Sequence, residues 1–368
     1  MERIRVGIVG ATPEAGWAAN AHIPAIQALP EYELTAVGTS REESAREAAS
    51  KFGAAHAFTD ARRLAEHPDV DLVVITVKVP FHLELAQAAL AAGKHVYCEW
   101  PLARSTAEAQ MLAASAEAAG VHHVMGLQAR FAPAIAYARE LIADGYLGRV
   151  TSATVYSARG KRASGVPGRT AYTFDRRNGA GLLEVAGGHT IDALEYLAGE
   201  IISLSADTCI QYPSYTVAET GETGEVTTPD QVLINAILTG GAAASVHLHE
   251  AKLTGARSRL EIAGTEGDLA VVSTGPASPM GLQISELRLL GAKGPGGSYQ
   301  ELPTPARFRT APDTPPAARH VAQLYASLAR DLRTGTTTVP AFSDGLRLHK
   351  LLDTIRRSAG TGTRQPVR

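Results

Sequence analysis

Short apolar runs alternate with helical stretches through the first third of the chain. Ile4 to Val9 is continuous but for one glycine, which suits a strand buried on both faces. Leu34–Val37, Asp71–Thr76, His95–Cys98 and His122–Gly126 read as further strands. Between them, Glu42–Phe52 is charged, Ala-rich and helical. Phe81–Ala92 has helical spacing and stops at Gly93, and Ser105–Ala119 stops at Gly120. Strands alternating with helices of this length predict βαβ units in a parallel sheet, with a ligand at the carboxyl ends of the strands. A helix over Pro133–Ala143 follows, and after Gly148 the period changes to two. Val150–Ala158, Val232–Leu238, Ala243–Glu250, Ser258–Ala263 and Leu282–Leu289 are predicted strands, several joined by glycine turns that imply an antiparallel meander. One helix, Gly181–Leu197, lies among them. Ala317–Leu332 and Asp344–Arg357 are predicted helices, and 291–316 a long surface loop.

The expected fold is therefore α/β. Residues 1–127 form a Rossmann dinucleotide-binding domain; residues 128–368 form a substrate-binding and oligomerisation domain with a large, mostly antiparallel open sheet, its C-terminal helices free to return to the first domain. An open sheet face needs a cover, so a homodimer or homotetramer through that face is expected.

Composition narrows the classes. With 35 Lys+Arg against 37 Asp+Glu, the formal charge is −2, and no basic excess exists to neutralise a phosphate backbone. General nucleic-acid binding is disfavoured. No apolar run is long enough to span a bilayer, and the charged start leads straight into a strand with no secretory apolar region. Two cysteines, Cys98 and Cys209, make neither a disulfide framework nor a four-thiolate zinc site. A cytoplasmic protein is expected. His247 and His249 alternate on one strand without a third ligand at metal spacing, so no metal site is assigned.

The first βα turn reads Gly10-Ala11-Thr12-Pro13-Glu14-Ala15-Gly16-Trp17. Thr12 stands where a dinucleotide fingerprint has its second glycine, and Gly16 arrives one residue late. Gly10 can still make the tight turn, and the amides beyond it can receive a pyrophosphate. At the end of the second strand, Ser40 and Arg41 replace the acidic residue that would hold a ribose hydroxyl. That favours a 2′-phosphate, hence NADP ahead of NAD.

Gly93-Lys94-His95-Val96-Tyr97-Cys98-Glu99-Trp100-Pro101-Leu102-Ala103 resembles the strand-five signature A-G-K-H-V-x-x-E-K-P-x-A of the Gfo/Idh/MocA oxidoreductase family. Val79-Pro80-Phe81-His82 resembles its T-P-N-x-x-H segment, and Gly187-Gly188-His189-Thr190-Ile191-Asp192 its G-x-H-x-x-D helix. The resemblance implies an NAD(P)-dependent oxidoreductase acting on a sugar, cyclitol or similar polyol. It places cofactor contacts at Val77, Val79, His82, Glu99, Trp100, Pro101 and Gln128, beside the turn residues Gly10, Thr12, Gly16 and Trp17. Substrate contacts fall at Trp100, Arg130, Tyr156, Arg159, Lys161 and His189.

Two departures stand out. The signature's lysine is Trp100, whose indole N–H donates only and cannot act as a base. Four residues before His189, where the family often has an aspartate, stands Val185, with Glu184 one step further back. His189 is left as the acid/base, and Asp192, at i+3 on the same helix face, as its orienter. Glu99-Trp100, Gly16-Trp17 and His22-Ile23-Pro24-Ala25-Ile26 also resemble the fungal galactose-regulon repressor branch. That leaves a second reading open: a catalytically silent dinucleotide-binding regulator with a protein partner.

Overall fold

The computed structural model describes residues 3–14, 16–160, 165–252 and 254–367. Along the chain run β1 (Ile4–Val9), α1 (Ile23–Gln27), β2 (Tyr32–Gly38), α2 (Glu42–Phe52), β3 (His56–Phe58), α3 (Ala61–Glu66), β4 (Leu72–Ile75), α4 (His82–Ala91), β5 (His95–Glu99), α5 (Thr106–Ala119) and β6 (His123–Gly126). The six strands form one parallel sheet in the order β3-β2-β1-β4-β5-β6. Val6, Ile8, Leu72–Ile75, Val96 and Tyr97 are buried, as strands covered on both faces require. Ser105 caps α5 by accepting the Glu108 amide, and Gly53 and Gly120 close α2 and α5 in the left-handed conformation.

Next come α6 (Pro133–Ala143), β7 (Val150–Gly160), α7 (Gly188–Ala198), β8 (Ile201–Cys209), β9 (Ser214–Thr216), β10 (Thr223–Glu225), β11 (Gln231–Leu238), β12 (Ala243–Lys252), β13 (Ser258–Gly264), β14 (Gly267–Thr274), β15 (Glu286–Lys293), β16 (Gln300–Glu301), α8 (Pro316–Thr334), α9 (Phe342–Thr361) and β17 (Gln365–Pro366). A nine-stranded sheet runs β16-β15-β14-β13-β7-β12-β11-β8-β17. All its pairs are antiparallel except β7 with β12, so the sheet is mixed and β7 interrupts the expected meander. Ala153 and Val155 of β7 are buried with Val246 and Leu248 of β12, while Ser152, Thr154 and Ser245 face out. The outward positions at the centre of the open face are thus small or hydroxyl side chains, with the exposed Leu233 beside them on β11.

By contacts the chain divides into one unit of Met1–Gln128 with Arg309–His349, and another of Ala129–Phe308 with Lys350–Arg368. The last predicted strand shifts, from Leu282–Leu289 to Glu286–Lys293, because Leu282 is buried in the turn before it. Segment 291–316 is not wholly a loop, since β15 extends into it and β16 pairs back. Among the described residues, no helix is long and apolar enough to cross a membrane.

Candidate functional site

In the first unit the strand order reverses between β1 and β4, the switch point where open α/β sheets take ligands beyond their carboxyl ends. Gly10 stands there with φ +100°. A Cβ on it would lie 2.8 Å from Thr76 Oγ1 and 3.0 Å from Val77 Cγ1, so the close approach of the two strand ends requires glycine. Gly16 is also left-handed (φ +129°), beside Thr12. Trp17 Nε1 is buried with no hydrogen-bond partner, an orphan donor at the end of the turn. Gln128 Oε1 is a second orphan, a buried acceptor. Ser40 and Arg41 are exposed at the end of β2, Arg41 leading into α2, while Thr39 Oγ1 donates to the Arg41 carbonyl at 2.9 Å. A glycine cradle, an orphan donor and an exposed guanidinium fit a dinucleotide.

His82 is placed differently from a side chain that offers a nitrogen to a ligand. Its ring nitrogens lie against the carbonyl oxygens of Pro101 (2.8 Å) and Val77 (3.0 Å), and burial lowers its pKa. It ties the Val77–Val79 turn to the Trp100–Pro101 segment, whose peptide is cis. Trp100 is 4% exposed and lies against His349 of α9, ring centroids 4.9 Å apart, so its ring is packed within the protein.

Glu99 belongs to a network that the sequence did not reveal. His22 Nε2 donates to Glu99 Oε1 at 2.9 Å, and the Tyr325 hydroxyl lies 2.8 Å from His22 Nδ1. Tyr97 and Tyr325 also meet the His22 ring edge-on, at 5.0 and 5.7 Å. Gly126 makes room for the carboxylate, since a Cβ there would stand 2.7 Å from Glu99 Oε1. His22 closes a π-helical turn, Ala18–His22. The only sequence signal was its place in His22-Ile23-Pro24-Ala25-Ile26.

In the second unit a second π-helical turn, Leu183–Gly187, leads into α7. The predicted helix is present, but its first turn is wound with one extra residue, a feature frequent at functional sites. His189 follows directly. It is 3% exposed, its Nδ1 has no hydrogen-bond partner, and burial lowers its pKa from 6.5 to about 3. Asp192 does not orient it. The Asp192 carboxylate instead accepts Arg130 Nε at 2.9 Å and Arg130 Nη2 at 2.5 Å, a bidentate pair that takes Arg130 out of the role of a free substrate cation. Arg130 also lies over the Tyr196 ring at 5.5 Å. Glu184 lies in the π turn, five residues before His189. It is buried and holds Arg356 Nη2 at 2.6 Å.

Tyr156 and Arg159 of β7 meet β12, Tyr156 Oη lying 3.1 Å from His249 Nε2 and Arg159 Nη1 3.4 Å from Glu250. Lys161 lies outside the described residues.

Residues 4–127 match the oxidoreductase family with an NAD-binding Rossmann fold, and residues 133–273 match the C-terminal domain of Gal80p. The chain is 37% identical over 225 residues to the dehydrogenase aclE of Aspergillus oryzae, across 60% of this chain and 61% of that protein. It is 28% identical over 292 residues to levoglucosan dehydrogenase of Pseudarthrobacter phenanthrenivorans, across 73% of each. The alignment with aclE thus spans less than two thirds of that relative. A super-repressor mutant of Gal80p from Saccharomyces cerevisiae has a similar structure, with TM-score 0.88 at 25% identity over 100% of this chain and 98% of that one.

Proposed function

Because this chain belongs to the Gfo/Idh/MocA oxidoreductase family, in a branch with a Gal80-like C-terminal domain, we propose that it is an NAD(P)-dependent oxidoreductase acting on a CH–OH group of a sugar, cyclitol or similar polyol. The observation that carries this reading is His189, a buried imidazole with an unpartnered nitrogen, set just after a π turn. When bound, the nicotinamide supplies the hydride acceptor or donor. Gly10, Thr12, Gly16 and the Trp17 indole N–H hold the phosphates, with Gln128 as a further acceptor. Arg41 takes a 2′-phosphate, which makes NADP the preferred cofactor ahead of NAD.

His189 takes the hydroxyl proton in oxidation and returns it in reduction. Burial keeps the free ring neutral at ordinary pH, in the form able to accept. Asp192 of α7, paired with Arg130 of the turn before α6, steadies the helix that carries His189 and exchanges no proton with it. Trp100 fills the family's lysine position with apolar bulk. Tyr156 and Arg159 orient polar groups of the substrate. A homodimer or homotetramer through the open sheet face completes the reading.

One observation favours a second reading. Trp100 is buried against His349 and supplies no amine, which suits a dinucleotide-binding regulator of a protein partner, as the Gal80p likeness suggests. The experiment mixes purified protein with NADP or NAD and a panel of sugars, sugar acids and cyclitols, following nicotinamide absorbance, with His189→Ala alongside and cofactor affinity measured separately. Turnover lost in the variant with affinity kept supports the enzyme. Cofactor binding with no turnover across the panel turns the reading to the regulator.

A further inference from the structure

At the amino ends of the strands, remote from the glycine cradle at their carboxyl ends, two imidazoles and a carboxylate converge. His56 is the first residue of β3, His67 follows α3, and Asp69 precedes β4. His56 Nε2 donates to Asp69 Oδ2 at 3.0 Å, and His67 Nδ1 lies 4.0 Å from the same oxygen. The two imidazole rings are 4.1 Å apart, centroid to centroid. One ligand atom from each of the three residues lies within 4.8 Å of the others. Their side chains are 32%, 25% and 49% exposed, so an ion has a way in.

We propose that His56, His67 and Asp69 form a binding site for a late first-row divalent cation, Zn²⁺ above all, which clips edge strand β3 to the α3–β4 connection. Two neutral imidazoles and one carboxylate oxygen are the mixed N/O donor set such ions favour, and three protein ligands leave a fourth position for water. On a tetrahedral ion with bonds of about 2.0 Å, ligand atoms stand about 3.3 Å apart. The His56–Asp69 contact need open by only a few tenths of an ångström to admit it. The Asp69 amide donates to His67 Nδ1 at 3.2 Å, so that nitrogen must give up the contact, or the ring must turn, to ligate.

The surroundings hold these donors in place. Arg5 Nη1 takes the other Asp69 oxygen at 3.2 Å, leaving Oδ2 toward the imidazoles. Thr35 Oγ1 donates to the Asp69 carbonyl at 2.6 Å. Lys94 Nζ donates to the His67 carbonyl at 3.2 Å and the Val70 carbonyl at 2.7 Å. Such outer contacts orient ligands and raise affinity, although the Arg5 charge works against a cation and places the site among the weaker three-ligand ones.

The test titrates the chelator-treated full chain with Zn²⁺ by calorimetry and follows the thermal midpoint. One equivalent bound through these residues, with a midpoint that climbs with free Zn²⁺ and is unmoved by Mg²⁺, is the expected result. His67→Ala and Asp69→Asn should each weaken binding at least about tenfold, the lower end of what loss of even an outer partner costs. His67→Gln serves should the alanine variant lose its circular dichroism. No Zn²⁺ binding, or equal affinity in the original chain and folded variants, overturns the proposal.

Discussion

Two buried histidines, one in each unit, follow the same local plan and meet opposite fates. His22 closes the π turn Ala18–His22, and His189 comes just after the π turn Leu183–Gly187. Both are withdrawn from solvent. His22 has both nitrogens engaged, one by Glu99 and one by Tyr325, and two tyrosine rings meet its edges. His189 has an unpartnered Nδ1, and burial alone sets its pKa. A buried polar atom left without a partner costs free energy, and proteins tolerate that cost where a ligand is to supply the partner. The contrast separates a histidine whose two nitrogens the fold already engages from one whose Nδ1 it leaves open.

The largest test of that contrast is His189→Ala. Turnover should fall by about 10²–10⁴, the usual contribution of a positioned acid/base, while cofactor affinity holds. Nicotinamide absorbance and a binding titration read the two separately. His22→Ala should do the reverse, leaving Glu99 buried without its donor. A loss of about 3–5 kcal/mol is expected in urea unfolding. Equal effects of the two variants on stability would erase the distinction.

Next in size is Glu184→Gln, which keeps shape but removes the buried charge that holds Arg356. It should cost about 1–2 kcal/mol in urea unfolding and leave the pH profile of kcat/KM in place.

The pH dependence of stability comes next. His189 binds a proton with a pKa near 6.5 when unfolded and about 3 when folded. The unfolded chain therefore holds more protons between those values, and stability falls as pH drops from 7 toward 3, by on the order of 1 kcal/mol per unit. Buried His82 acts in the same direction. His189→Gln should flatten part of the slope in acid unfolding monitored by circular dichroism. The smallest effect is Arg41→Ala, expected to weaken NADP a few-fold to about tenfold and leave NAD nearly alone, because an exposed guanidinium contributes modestly.

Most strands of the first unit were legible because parallel strands buried on both faces read as apolar runs. Both glycine turns, at Thr239–Ala242 and Gly264–Gly267, mark the hairpins β11–β12 and β13–β14. Strand β8 has a faint pattern, since Ser203, Ser205 and Asp207 fill outward positions while Ala206 and Thr208 take inward ones. The three-residue β3 is too short for any period. The π turns were invisible because one extra residue per turn follows from packing, not composition. The partners of His22 lie 77 and 303 residues away, so local pattern could mark the histidine but not its role. For Asp192, spacing put it on the right face, yet Arg130, from 62 residues upstream, claims its carboxylate.

Asp331 ends α8 with its carboxylate accepting the Thr336 and Thr338 hydroxyls and the amides of Thr338 and Val339. It thereby fixes the exit of the helix that carries Tyr325, whose hydroxyl holds His22 and whose carbonyl accepts the Tyr32 hydroxyl at 2.7 Å. On the ribosome, the parallel sheet is complete in sequence by residue 126, long before that helix is made. Through the synthesis of some two hundred further residues, His22 and Glu99 must wait with their neighbouring cavity unfilled. A fragment cut after Gln128 would carry every strand of the sheet and still expose the groove that Tyr325 is shaped to close.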